Sequence, residues 1–266
     1  MKKALGWVIL ANLALGGASA SAGEGAVIET PTTEPPSAAT ASDAKSPPTL
    51  SLNTGPDANS RRGVGGYAGV TFAPFEGGLD KSGLRLRVDA ADGSFYYNEE
   101  GNPQNGEPLL LSVHGHYINA GAAVGYAYIS DKLYASAFIG GNYQYVSLSH
   151  QDQGNSTVGT RWGFKASVDA DYKPIDSVSL LIAGNYSTAN NSWWSRFRPG
   201  YEIAPEVYAG PEVGFMGNNF WRQLFWGAHL RGLKFGNVEI GLGTGVLRDS
   251  QLRWGAYGSV ELALRF

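Results

Sequence analysis

Hydrophobic and polar residues alternate along most of the chain, most clearly at its C-terminal end. Counting back in twos from Phe266, every position to Trp254 is apolar or glycine, whereas the positions between them include Arg265, Glu261 and Ser259. A period of two over this length predicts a β-strand whose two faces meet different surroundings. An edge strand of a soluble β-sandwich would alternate in the same way, so the other segments must distinguish a sandwich from a membrane barrel.

The same alternation recurs in segments that begin near residues 64, 84, 133, 162, 178, 207, 224 and 238. Most of these segments have about 10 to 14 residues, which is long for soluble strands and suits a tilted membrane span. Aromatic residues such as Trp162 and Tyr172 stand near the ends of the apolar faces. Outer-membrane barrels carry aromatic girdles at these places.

The connections between the segments alternate between short turns and longer polar loops. The short turns lie at 130–132, 174–176, 204–205 and 235–237, and the loops at 149–157, 188–192, 217–221 and 248–253. Outer-membrane barrels have short periplasmic turns and longer external loops, so the chain is predicted to be all-β, a transmembrane antiparallel up-and-down β-barrel of about 12 strands. Its first strand is expected at residues 49–53, and residues 99–109 are expected to form an external loop.

The N-terminal region differs from the rest in composition. Two lysines precede a short apolar stretch and two small-residue cleavage sites, so residues 1–22 are predicted to be a secretory signal peptide. Residues 23–48 are rich in Pro, Ser, Thr and Ala, and we expect a disordered periplasmic tether. The barrel is expected to occupy residues 49–266.

Composition excludes several function classes. The formal charge is −3, which argues against nucleic acid as a partner. The chain has no cysteine, so disulfides, thiol catalysis and cysteine metal sites are excluded. Outer-membrane lipid is the partner that the strand pattern itself predicts.

Several stretches together resemble the cellulose biosynthesis protein BcsS family of Gram-negative bacteria, over residues 50–266. They are the segments 82–87, 159–165, 186–196 and 210–212, with the terminal strand. The long proline-rich tether and the Trp193-Trp194 pair depart from the family pattern. The resemblance implies an outer-membrane barrel that assists cellulose biosynthesis, export or anchoring. It also implies contact with a glucan chain and other cellulose-synthesis components.

Charged residues on the polar faces are the candidates for the lumen. A barrel of about eight strands is filled by side chains and one of about sixteen leaves a channel, so an intermediate number predicts a narrow or closed lumen. Charges there must be paired or hydrated, so they form either a plug of ion pairs or a substrate path. The candidates are Arg85, Arg87, Arg161, Lys165, Asp169, Asp171, Glu212, Arg231 and Glu261.

A second group of candidates lies near the predicted external loops. Tryptophans there either belong to the interfacial girdle or stack on saccharides. The group consists of Trp193, Trp194, Arg196 and Trp221.

Two alternative functions remain open. His114 and His116 share one strand face with Ser112, which could seat a Ser/His pair of an enzyme acting on lipid or on acyl groups of a polysaccharide. No carboxylate partner, Gly-x-Ser-x-Gly motif or third metal ligand accompanies them. We therefore expect no catalytic residue, metal or cofactor. A small-solute porin or an adhesion barrel is the other alternative.

Overall fold

The computed structural model describes residues 47–104 and 107–266, and it describes their side chains except for residues 100–110. The predicted signal peptide and almost all of the predicted tether lie outside these ranges. Twelve antiparallel strands form a closed barrel, which confirms the predicted fold class. The strands are β1 Leu50–Asn59, β2 Val64–Phe72, β3 Gly83–Gln104, β4 Glu107–Ile129, β5 Leu133–Leu148, β6 Gly159–Ile175, β7 Val178–Ser187, β8 Ser192–Ala204, β9 Val207–Gly217, β10 Arg222–Phe235, β11 Val238–Asp249 and β12 Trp254–Arg265.

The barrel closes where β1 pairs with β12. The expected first strand belongs to the barrel and extends to Asn59, which lies opposite Tyr257. At the other end of this seam, the Phe266 carbonyl accepts hydrogen bonds from the amides of Thr49 and Leu50, at 2.7 and 3.1 Å. Closure pairs the backbone groups that an open sheet would leave at its edges. The terminal segment is therefore the closing strand of a barrel and not the edge of a sandwich.

The two ends of the barrel differ. One end, called the turn end, holds the start of β1, the end of β12 and the short turns at 130–132, 176–177, 205–206 and 236–237. The opposite, loop end carries the connections at 149–158, 188–191, 218–221 and 250–253, whereas the long connection 73–82 between β2 and β3 lies at the turn end. At the loop end β3 and β4 have 22 and 23 residues and continue pairing past their other neighbours. Residues 95–104 and 107–114 form this hairpin extension.

The expectation of an external loop at residues 99–109 is wrong for the described residues, which continue strands β3 and β4 in the hairpin extension. The ladder continues through Glu99, opposite Leu111, and Gly101, opposite Leu109. Backbone hydrogen bonds need no particular side chain, so a polar, glycine-containing segment can continue a hairpin that is already paired. The Asn, Gly and Pro residues of this segment predict a loop because such residues are depleted in strands. The depletion is an average, and individual strands can contain them.

The outer surface of the barrel is apolar and its interior is polar. Val88, Ile139, Trp162 and Phe164 are 62 to 80% exposed on the outside, whereas Arg198 is 1% exposed inside. A soluble sandwich would place these two classes of side chain the other way round. The arrangement is that of a membrane-spanning barrel. No helix in the described ranges has the length and apolar character needed to cross a membrane.

Candidate functional site

Ion pairs cross the lumen near the turn end. Arg231 on β10 donates two hydrogen bonds to Asp171 on β6, at 3.0 and 3.1 Å, although three strands separate the two residues around the wall. The buried Ser179 hydroxyl on β7 donates to the same carboxylate at 2.5 Å. The Arg231 guanidinium also lies 5.1 Å from the centre of the Tyr208 ring. This pair forms a bridge across one side of the lumen.

A second set of pairs links β3 to β6. Arg87 lies 2.8 Å from Asp169, and Lys165 lies 2.5 Å from Asp89. The Arg87 guanidinium also covers the buried Phe138 ring at 3.8 Å. Two strands lie between β3 and β6, so these pairs span a chord of the lumen and not one ladder.

The most buried cluster joins β8, β9 and β12. Arg198 and Glu212 are 2.5 Å apart, and the side chain of each is 1% exposed. Arg198 also reaches Glu261 on β12 at 2.8 Å, and Arg196 reaches the same carboxylate at 2.5 Å. The Tyr257 hydroxyl donates to Glu212 at 2.5 Å. Three strands separate β8 from β12 around the wall, so this cluster also crosses the lumen.

A glycine makes room for that cluster. A Cβ atom at Gly243 would lie 2.7 Å from the Ser259 hydroxyl, 2.8 Å from Glu212 and 3.0 Å from Arg198. The first two distances are shorter than real Cβ contacts and the third is tight, so a side chain at this position would displace the groups of the Arg198–Glu212 pair.

Ten charged residues of the lumen form the ion pairs described above. Five cations face five carboxylates: Arg87, Lys165, Arg196, Arg198 and Arg231 against Asp89, Asp169, Asp171, Glu212 and Glu261. A balanced set of pairs produces little net field for attracting an ion of one sign. The pairs join strands on opposite sides of the wall, and leaving the fully buried Arg198–Glu212 pair without one partner would cost about 3–5 kcal/mol.

Seven of the nine predicted lumen residues take part in these pairs. The other two do not: Arg85 donates to the carbonyl oxygens of Leu84 and Lys81, and Arg161 is exposed near the loop end. Sequence reasoning did not select Asp89, Arg198 or Tyr257. The period-two spacing of Trp194, Arg196 and Arg198 was the available signal for Arg198.

The four residues of the predicted external group lie in two places, strand β8 and the loop before β10. Residues 192–204 are strand β8, so Trp193, Trp194 and Arg196 belong to the barrel wall and not to a loop. Trp194 shares the lumen face with Arg196, whose guanidinium lies 5.1 Å from its ring, and Trp193 shares the outer face with the exposed Phe197. Trp221 lies in the loop before β10.

The hairpin extension leans across the loop end. The Tyr97 hydroxyl on β3 donates to Asp152 of the β5–β6 loop at 2.6 Å. Its ring lies 5.3 Å from that of Phe220 in the β9–β10 loop, on the opposite side of the twelve-strand ring. Burial raises the pKa of Tyr97 above its ordinary value of 10.0, so the hydroxyl remains a donor. Gln251 of the β11–β12 loop also donates to the Asn98 carbonyl, at 3.0 Å.

The candidate Ser/His group lies on the outer face of this hairpin. The His114 ring stacks on Tyr96 with 4.4 Å between centres, and His116 lies 2.9 Å from Asp92. Among the hydrogen bonds of the described side chains, none joins Ser112 to either histidine. In the same part of the chain, no three His, Asp or Glu residues are grouped in a way that could hold a metal ion.

Comparison with known proteins gives a family and a fold. The sequence profile of the family described as cellulose biosynthesis protein BcsS matches residues 53–266, most of the barrel. A comparison with curated protein sequences finds no match.

Several solved barrels are similar in structure. The TodX deltaS2S3 mutant monoaromatic hydrocarbon channel has a TM-score of 0.50 at 8% identity, covering 83% of this chain and 91% of that one. The translocator domain of autotransporter NalP from Neisseria meningitidis has a TM-score of 0.46 at 9% identity, covering 84% and 90%. The KdgM porin has a TM-score of 0.42 at 10% identity, covering 81% and 99%. At such identities the similarity concerns the barrel fold alone.

Proposed function

The chain belongs to the cellulose biosynthesis protein BcsS family, and from this premise we propose that it is an accessory barrel of the bacterial outer membrane. In this proposal it assists cellulose production by anchoring or organising the glucan at the cell surface, and it does not pass the glucan through its own lumen. The predicted signal peptide would deliver the chain to the periplasm. The apolar outer face of the strands supports a position in the membrane.

The ion pairs that cross the lumen are the observation that carries this proposal. A glucan chain that entered the barrel would meet the Arg231–Asp171 pair, the Arg87–Asp169 pair and the Arg198–Glu261 pair. Separating such a pair leaves partly buried charges without partners, which is unfavourable, and passage would require several separations. Tyr97 and the hairpin extension obstruct the loop end as well. These features favour a closed barrel over a conduit, and they disfavour a small-solute porin for the same reason.

The enzyme alternative has less support. Catalysis by a serine needs a base within hydrogen-bond reach of its hydroxyl. His116 has a carboxylate partner that the sequence did not indicate, Asp92 at 2.9 Å, but no hydrogen bond among the described side chains joins Ser112 to His116 or to His114. A non-enzymatic role therefore remains the better interpretation of these residues.

The test is a deletion of the gene, complemented either with the wild-type gene or with an empty plasmid. Cellulose is measured in three fractions: attached to cells, released into the medium and retained in the periplasm. We expect the deletion to lower the attached fraction and raise the released one, and the wild-type gene to restore both. Unchanged amount, location and fibre form would contradict a role in cellulose production. Accumulation in the periplasm would contradict the closed barrel, because it would indicate a blocked conduit.

A further inference from the structure

A polar cleft opens at the loop end of the barrel and takes no part in the lumen pairs. Its volume is about 320 Å³, and it lies between the β1–β2 turn, the hairpin extension and the β11–β12 loop. Three arginines and four neutral polar residues form its lining: Arg61, Arg62, Arg253, Ser60, Tyr96, Asn98 and Ser112. The cleft is large enough for a small-molecule or head-group ligand.

The arginines give the cleft an excess of positive charge. Arg61 and Arg62 form no ion pair with any carboxylate whose side chain is described. Arg253 is held by Asp249, which accepts from its Nε at 2.8 Å and lies 2.7 Å from its Nη2. Guanidinium groups recognise phosphate through paired hydrogen bonds, so an anionic ligand fits this lining.

The β1–β2 turn holds its arginines in place before any ligand binds. The Asn59 carboxamide oxygen accepts hydrogen bonds from the amides of Arg61 and Gly63, at 2.9 and 3.1 Å. Ser60 is tied to Ala256 of β12 by two further bonds, one of 2.8 Å from its amide and one of 2.9 Å to its hydroxyl. A turn fixed in this way loses little conformational entropy on binding.

The aromatic residue of the cleft is not free to stack on a sugar. One face of the Tyr96 ring stacks on His114, and the Arg62 guanidinium lies 5.9 Å from the ring centre. A neutral glucan site would be expected to present an open aromatic face, as saccharides stack on aromatic rings. The lining therefore favours charge recognition over stacking.

The position of the cleft indicates which molecule carries the anionic group. Arg253 directly precedes Trp254, which is exposed on the outer face and lies 5.2 Å from Trp226. Exposed tryptophans of this kind mark the membrane interface, at the depth of the lipid head groups. The cleft is thus placed beside the head groups of the outer leaflet.

We propose that this cleft binds the phosphate-bearing sugar head group of an outer-leaflet glycolipid. The arginines take the phosphate, and Asn98 and Ser112 hydrogen bond to sugar hydroxyls. The proposal rests on the outer-membrane position given under the proposed function. It goes further by naming the class of lipid that binds at the loop end of the barrel.

The test uses the purified full-length protein in a neutral detergent. Its probes are bisphosphorylated lipid A, the same lipid A after dephosphorylation, inorganic phosphate and cellohexaose. We expect lipid A to bind, and the Arg61→Gln/Arg62→Gln variant to weaken that binding by about 10-fold or more, because each lost hydrogen bond from a guanidinium to the phosphate weakens binding by about tenfold. Arg222→Gln, an exposed arginine at the same end but outside the cleft, is the matched control and should bind like the wild type. Faster gel migration of unheated protein checks that each variant is folded.

Four outcomes would overturn the proposal: equal binding by the double variant, equal binding of dephosphorylated lipid A, inorganic phosphate binding as tightly as lipid A, or cellohexaose binding that the double variant abolishes. The third would assign the cleft to free phosphate, and the fourth to a neutral glucan. Because binding is measured without cellulose synthesis, its failure is distinct from a failure of the proposed function.

Discussion

Arg198 is the cation whose removal should affect the lumen most. In Arg198→Met, Glu212 keeps its charge in a site where its side chain is 1% exposed. Leaving one buried charge of a pair without its partner costs about 3–5 kcal/mol. The Tyr257 hydroxyl still donates to Glu212 at 2.5 Å, and Arg196 still pairs with Glu261. We therefore expect a loss near the lower limit, about 3 kcal/mol in the free energy of unfolding.

Urea unfolding of the barrel in lipid vesicles, followed by tryptophan fluorescence, measures this loss. The companion variant Arg198→Met/Glu212→Gln removes both charges and should recover most of the stability, because replacing a whole buried pair is often neutral. Arg265→Gln is the control: its pair with Asp80 spans 3.8 Å and both side chains are more than half exposed, so it should change stability by less than about 1 kcal/mol. The reasoning would be refuted if Arg198→Met matched this control, or if the double variant were less stable than the single one.

Three further predictions test other parts of the structure. Gly243→Ala should lower stability by about 1–3 kcal/mol because the new methyl group collides with the lumen cluster, whereas Gly141→Ala, with nothing within 4 Å, should not. Tyr97→Phe removes the hydroxyl that holds the hairpin extension, so limited proteolysis there should become faster; an unchanged rate would contradict the bridge. Lys234 lowers the pKa of Glu206 below its ordinary value of 4.5, so this small stabilisation is present above that value and lost as pH falls through the lowered pKa. NMR titration of Lys234→Gln should show the Glu206 pKa rising, and an unmoved pKa would count against the pair.

Alternation along the strands predicted the architecture because every residue of a barrel strand faces one of two surroundings. The terminal segment from Trp254 to Phe266 and the early segment around Leu84 to Val88 both place charge inside and apolar side chains outside. Turn lengths then established the strand count, including a first strand that the sequence marks only weakly. These features are local, so they can be read from the sequence.

The pairing of the lumen charges could not be read in this way. Arg231 pairs with Asp171, which lies 60 positions away in the sequence, and Arg198 pairs with Glu261, which lies 63 positions away. Which residues meet across a lumen depends on the tilt and stagger of the strands, and no local pattern gives these quantities. The hairpin extension was missed for a related reason: its fold across the loop end depends on contacts such as Tyr97 with Phe220, whose partners lie far apart in the chain.

Single-channel recording in a planar bilayer tests the closed lumen directly. Purified wild-type barrel, shown to be folded by its faster migration before heating, is inserted at low concentration and held at both polarities. We expect no conductance steps, since ion pairs cross the lumen between β3 and β6, β6 and β10, and β8 and β12. A variant that neutralises Arg198, Glu212 and Glu261 together should conduct more than the wild type. Stable open steps from the wild-type barrel would contradict the closed, accessory role.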